Sequence, residues 1–368
     1  MYSLFSGLKS LTKPQSTTID SAVCKVHYRF AVLVLLAFSI LVTATQHFGE
    51  LIKCMPTGGT MPTDMVQAWC LIHSTFTVKS AWNLTIPSEA IYPGISKVPI
   101  IPNTNRENTD DLIYHTYYLW VPFVLLLMSV TFYIPRFIWK THEGGRIKNL
   151  VTGLNSAIIH PELKENGINV VVSYFQQNVN NHNEFFFTYV FCESLNFINV
   201  VFQIYIMNEF LGGAFMSYGW EVITYTDWSP LIRNDPFRRV FPTLTKCRFR
   251  FGASSGDYHI HDTLCLLPIN ILNQKIFVVI WLLYWFLFFL TLISLVFRLM
   301  TIVTPFFRTW ITSSHCFPKY RNDLDRIIRS SSVGDWFMLH LLSVNIGRSN
   351  FSEFIDKYSA TYTLMPCE

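Results

Sequence analysis

Charge is scarce in this sequence. Asp, Glu, Lys and Arg make up 14% of the 368 residues, where an average soluble domain has roughly 25%. Hydrophobic residues make up 51%, and the pairing of the two figures argues against a soluble chain. The net charge of +4 is spread along the chain without a dense basic stripe, so nucleic acid is excluded as a partner. Catalytic signatures are missing as well. There is no nucleotide-binding loop, nucleophile elbow or metalloprotease helix, and the expectation is a protein that is not an enzyme and uses no cofactor and no metal. Lipidation signals are absent, since residue 2 is Tyr and Cys367 sits too near the end for a prenylation box. Internal repeats and heptad runs are absent too.

What is there is a set of four long apolar runs, at residues 30–48, 120–138, 185–211 and 276–295. A bilayer crossing takes about 20 residues. The 32 Phe, 17 Tyr and 10 Trp suit lipid-facing helices with interfacial belts. The first run reads as a retained span and not as a signal peptide, because it is too long and no small-residue cleavage site follows it. The expected fold class is therefore an all-α membrane protein with four transmembrane helices, disulfide-braced extracellular loops with some β structure, and a helical cytoplasmic domain. The segments between spans are an N-terminal arm (1–29), a first outer loop (49–119), an inner loop (139–184), a second outer loop (212–275) and a tail (296–368). Lys9, Lys13, Lys25 and Arg29 precede the first span, Arg136 and Lys140 follow the second, and Arg298 follows the fourth. This bias places both termini in the cytoplasm. The second outer loop carries Arg233, Arg238, Arg239, Lys246, Arg248 and Arg250. They count against that orientation, but weakly, because the loop is long.

The eight cysteines support the same topology. Cys54 and Cys70 fall in the first outer loop, and Cys247 and Cys265 in the second. Disulfides persist in an oxidising compartment, and four cysteines leave three connectivities open. Four unpaired thiols would be uncommon there, and neither the C-x15-C nor the C-x17-C spacing suits a zinc knuckle. Asn83-Leu84-Thr85 is a glycosylation sequon on the outer side, whereas Asn350-Phe351-Ser352 is cytoplasmic and silent.

Four further features could carry chemistry. Glu193, Asn196, Asn199 and Gln203 recur at helical spacing in the third span. Polar groups at that depth avoid lipid, so the face lines a pore or bonds helices together, and the second reading is favoured. Pro122 and Pro135 can each kink the second span. His259, His261 and Asp262 lack helical spacing and a third ligand, and read as an ordinary polar loop. In the tail, Asp335 is expected to cap a helix reaching about Asn345 that is apolar on more than one face.

Tyr117, Tyr118, Leu119, Trp120, Val121, Pro122 and Phe123 resemble the YYQWVPF motif of innexins, the invertebrate gap-junction proteins, with Leu119 in place of Gln. Similar stretches run the length of the chain. Examples are Gln46-His47-Phe48-Gly49-Glu50 before Cys54, Phe132-Tyr133-Ile134-Pro135-Arg136, Cys192-Glu193-Ser194-Leu195-Asn196-Phe197, Thr245-Lys246-Cys247 and Gly334-Asp335-Trp336-Phe337. The flavour is insect-like. Connexins would carry three cysteines per loop. The resemblance implies rings, of eight subunits, formed with innexin copies in the plasma membrane at cell junctions. Such rings surround a wide pore lined by the first span and the N-terminal arm, and they can dock on a second ring across the outer loops. It implies pairing of Cys54 with Cys265 and of Cys70 with Cys247, each bond stabilising by about 2–4 kcal/mol. Ions and small metabolites would pass down their gradients. A glycan on Asn83 could block docking and leave a hemichannel. A non-conducting four-span adhesion or scaffold protein is the alternative.

Overall fold

The structure, a computed structural model, describes residues 17–55, 62–84, 88–100, 109–155, 160–226, 235–252 and 256–362. Residues 1–16 of the arm, Thr85 of the sequon and Cys367 lie outside the described residues. Four helices are long and apolar enough to cross a membrane: Ala22–Phe48, Val121–Glu143, Asn183–Phe210 and Pro268–Val303. They run past the apolar windows read from the sequence, because hydropathy marks the hydrocarbon layer and not the helix ends. The fourth has 36 residues, about 54 Å at the α-helical rise, against a hydrocarbon thickness of about 30 Å.

The long helices are apolar around much of their circumference, as a spanning helix must be. In the second, Leu125, Met128 and Phe132 are buried, while Phe123, Leu127, Val130, Ile134 and Phe137 are exposed. Spacings of three and four residues place each set on its own face. Pro122 is the second residue of this helix. A first-turn N–H has no partner within its helix, so Pro122 removes no bond there and cannot kink it, contrary to expectation. Its carbonyl accepts a hydrogen bond from the Ser39 hydroxyl at 2.9 Å. Pro135 does lie inside the helix.

The chain divides into two compact units. One comprises Met1–Val32, Thr131–Asn199 and Leu287–Glu368. Its core gathers Trp139, Phe175, Phe185, Phe186, Trp336, Phe337 and Phe354. The helix Arg321–Ser330 buries Leu324, Ile327 and Ile328, an i, i+3, i+4 stripe that leaves its charged residues outward. The helix Val333–Asn345 is buried on nearly every side, which explains why it is apolar on more than one face. Its cap is Ser332, whose hydroxyl accepts from the Asp335 N–H at 3.2 Å. Asp335 is thus in the first turn and is not the cap. Its carboxylate is engaged instead by His182 Nδ1 at 2.6 Å and by the Asn180 N–H at 2.8 Å.

The other unit comprises Leu33–Val130 and Val200–Phe286. It carries a five-stranded antiparallel sheet of β1 (Lys53–Met55), β2 (Thr75–Val78), β3 (Leu112–His115), β4 (Leu244–Gly252) and β5 (Tyr258–Leu266). The spatial order is β1-β5-β4-β2-β3. The two strands of the second loop therefore lie between strands of the first in one sheet. His259, His261 and Asp262 lie on β5, a strand and not the loop expected. The hairpin of β4 and β5 pairs Phe249 with His261 and Arg248 with Asp262.

Candidate functional site

The sheet carries the chemistry that braces the two loops. Cys54 on β1 sits directly opposite Cys265 on β5, and the two are joined by a disulfide. Cys70, on the helix Thr63–His73, is joined to Cys247 on β4. The bonds close separations of 211 and 177 residues, so in the chain-entropy view each removes much of the freedom of the unfolded loops. Ile52, Val66, Phe249 and Leu267 pack around them as a small core of their own. The sulfurs of Cys54, Cys70 and Cys265 lie within 4.8 Å of one another. All three are spent in disulfides, so the cluster offers no thiolate to a metal. At the hairpin, Asp262 takes Lys246 at 2.8 Å and Arg248 at 3.4 Å. Trp69 donates its indole N–H to the Arg248 carbonyl at 3.0 Å and meets Phe249 edge-on. His115 on β3 is buried against Thr77 at 3.0 Å. Burial lowers its pKa to about 4 and keeps the ring neutral.

The aromatic motif forms the entry to the second long helix. Tyr117–Leu119 is a 3₁₀ turn. The Tyr117 hydroxyl donates to the Val240 carbonyl at 3.2 Å, and its ring meets Phe241 edge-on at 5.6 Å. Burial pushes this phenol well up. Tyr118 is buried, and its carbonyl accepts from the Gln46 amide at 3.1 Å. Trp120 and Phe123 point outward, 62% and 63% exposed, as an interfacial aromatic pair would. The two Tyr hold the turn and the Trp and Phe present a surface, with Val121 buried and Pro122 bonded to Ser39 between them.

The polar residues of the third long helix are turned into the protein. Glu193 accepts two hydrogen bonds from Arg298 of the fourth helix, at 2.7 and 3.0 Å. The Asn196 amide reaches the Cys24 sulfur at 3.3 Å, and the Gln203 amide reaches the Met128 carbonyl at 3.5 Å. Asn199 is half-buried, and among the described residues its amide nitrogen has no hydrogen-bond partner. Charge and amide groups on one helix thus meet groups from three others, which is the arrangement that fixes helix contacts in a medium without water.

A family model described as innexin matches residues 20–362, nearly the whole length. The chain belongs to the innexin family. It is similar to "Innexin inx2" of Schistocerca americana, at 38% identity over 357 residues and 96% of each chain. It is also similar to "Innexin inx2" of Drosophila melanogaster, at 37% identity over 98% of this chain and 95% of that one. "Innexin shaking-B" of the same fly matches at 35% over 96% and 93%. Innexins form gap-junction channels, and four candidate spans make this one a multi-pass membrane protein.

One cluster of this innexin was not singled out in the sequence. Asp20, just before the first long helix, is paired with Arg136 of the second and accepts from the Tyr28 hydroxyl at 3.1 Å. The Arg136 guanidinium lies over the Tyr28 ring at 5.1 Å. Burial raises the Asp20 carboxyl against the pull of Arg136. Beside it, the backbone N–H and carbonyl of Thr18 bond the Asn345 side chain at 2.6 and 2.7 Å. Trp139 donates its indole N–H to the Ile19 carbonyl at 3.2 Å. The end of the arm is therefore fixed to the second helix and to the tail. The signal available in the sequence was Asp20 as an acid among the arm's basic residues; Arg136 entered only as a topology charge.

Proposed function

We propose that this chain is a subunit of a large-pore channel that passes ions and small metabolites across the plasma membrane or between cells. Its partners are further innexin subunits in a ring of eight, with membrane lipid around it. The loops between spans one and two and between spans three and four face outward, and the arm, the inner loop and the tail face the cytoplasm. The observation that carries the reading is the single sheet built from both of those loops and closed by two disulfides. A rigid platform at one end of four spans suits docking with a second ring. The exposed apolar faces of the spans, such as Phe123, Leu127 and Ile134, suit contact with lipid and with neighbouring subunits.

The arm supports the pore reading. Its last residues, Thr18 to Asp20, are held by Asn345 and Arg136. An arm end anchored beside the first span suits the reading in which that span lines a pore. The test pairs two measurements. Particle imaging of the purified assembly is expected to show an eight-fold ring with a central pore. Junctional current and dye transfer are expected between paired cells that express the chain. Monomers in detergent together with no current in any configuration would overturn the channel in favour of a scaffold. Current in single cells without junctional current would assign hemichannel use.

A further inference from the structure

A cavity of about 410 Å³ lies within the unit that contains the tail. Its wall is formed by Val23 of the first long helix, by Leu290, Ile293, Ser294 and Phe297 of the fourth, and by the tail helix from Trp336 to Val344. The volume falls in the range of pockets that enclose a small organic ligand, roughly 300–1,000 Å³. Most of the surface it offers is apolar, and what enters must be mostly apolar too.

Three observations narrow the occupant. First, the rim is apolar and exposed: Ile293 is 67% exposed, Phe297 42% and Val344 38%. Two of these rim residues belong to the fourth spanning helix, so the opening is continuous with a face that meets the bilayer. A molecule dissolved in the membrane reaches it by lateral movement, without crossing water. Second, the charges in the wall are already compensated. Arg298 is bonded twice to Glu193, and Asp20 is paired with Arg136. An anionic or cationic head group would find no free counter-charge and would lose its hydration on entry. Third, the wall is not wholly apolar. His340 lines the cavity, its ring stacked on Trp336 at 5.8 Å. Ser294 lies in the same wall. These groups suit a neutral polar head that can both donate and accept.

We propose that this cavity is a binding site for a neutral, single-chain membrane lipid, with the acyl chain between the fourth span and the tail helix and an uncharged hydroxyl head toward His340 and Ser294. The site does not depend on conduction, so it stands or falls separately from the channel reading. A lipid held there bridges the inner part of two spans to the tail, and its presence or absence changes how firmly the tail is held.

The experiment uses the purified full-length assembly in nanodiscs and a monoacylglycerol carrying a diazirine in its chain. After photolysis, peptide mapping is expected to place the label on residues 290–297 and 336–344, with competition by unlabelled monoacylglycerol. Val344→Trp and, separately, Ser294→Trp fill the cavity from opposite walls. Each is expected to abolish that labelling while the assembly keeps its size on gel filtration; either variant alone suffices if the other fails to assemble. Labelling spread over all four spans and unchanged by the filling substitutions would overturn the site. Equal labelling of these peptides by a diazirine-bearing phosphatidic acid would overturn the neutral head group.

Discussion

Arg298 and Glu193 meet across the third and fourth long helices as a two-pronged ion pair, 105 residues apart in sequence, with oxygens at 2.7 and 3.0 Å. The Arg298 side chain is 13% exposed and that of Glu193 4%. The guanidinium also lies over the Tyr189 ring at 5.0 Å. Such a pair is costly to form and more costly to break, because removing one partner strands the other.

Arg298→Met or Glu193→Leu alone is therefore expected to destabilise by about 3–5 kcal/mol, and the double replacement by much less. Thermal unfolding of the detergent-solubilised protein, followed by loss of the gel-filtration peak, checks the ordering. Equal midpoints for single and double variants would remove the pair from the account.

The disulfide cluster gives a prediction that depends on geometry. The Cys54→Ala change frees Cys265, whose sulfur lies within 4.8 Å of Cys70. A thiolate at that distance attacks the neighbouring bond. The single variant is expected to show scrambled bridges on non-reducing peptide mapping. The double Cys54→Ala/Cys265→Ala variant keeps Cys70 with Cys247 and loses about 2–4 kcal/mol. A clean Cys70–Cys247 peptide in the single variant would count against exchange.

Gly334 opens the buried tail helix against a backbone. A Cβ there would lie 2.3 Å from the His182 carbonyl carbon and oxygen, and its N–H is bonded to the Asn183 side chain at 3.1 Å. Gly334→Ala must push main chain aside and is expected to cost about 1–3 kcal/mol. Gly145→Ala is a useful contrast: its positive φ is strained, yet the space around it is open. Limited proteolysis of the tail in the two variants distinguishes backbone crowding from backbone strain, with earlier cleavage of the tail expected only for Gly334→Ala.

Acid acts on the tail through His340 before it acts through Asp335. Burial, then Arg298 and His315, lower the His340 pKa from 6.5 to about 4. The unfolded chain takes up the proton first as pH falls, so stability from this residue is complete above about 6.5 and is lost toward about 4. The slope is at most about 1.4 kcal/mol per pH unit. For Asp335, burial raises the carboxyl, but the bonds from His182, Asn180 and Ser332 outweigh it and hold it below the usual 3.8. Its contribution is present above that value and is lost only as pH falls below it. Melting curves from pH 7 to 5 are expected to slope in the native protein and to flatten in His340→Phe. An unchanged slope in that variant would assign the effect elsewhere.

Under the proposed function, the Asn83 sequon bears on whether two rings can dock. Asn83→Gln is expected to remove a mass shift if the site carries a glycan, and then to raise junctional current between paired cells. No mass shift on enzymatic deglycosylation would leave Asn83 without a role in docking.

Spans, cysteines and the aromatic motif are local patterns, and each could be read from a short window. The four spans needed only runs of apolar residues, and the place of each cysteine needed only those runs. What could not be read is what distance in sequence hides. Glu193 and Asn196 showed that a polar face existed, but not that Arg298 and Cys24 would occupy it. Asp335 looked like a cap because an acid stood at the start of an apolar run. Ser332, three residues earlier, performs that role, and His182, 153 residues away, takes the carboxylate. Pro122 signalled a kink by its residue type alone, and its place in the first turn cancels the effect. His259 and His261 alternate about Ile260 as strand residues do, a signal masked by the polar residues around them.

The order of strands in the sheet sets how this protein can change. β1, β2 and β3 come from one loop and β4 and β5 from the other, yet β5 sits beside β1 and β4 beside β2. Each loop pairs two strands of its own, β2 with β3 and β4 with β5, but one sheet exists only through the β1–β5 and β2–β4 pairings, and each disulfide has one end in each loop. A chimera that takes one loop from a relative mixes two halves of a single register. The two loops are thus one unit of exchange, and any new specificity of this surface must be carried by both together.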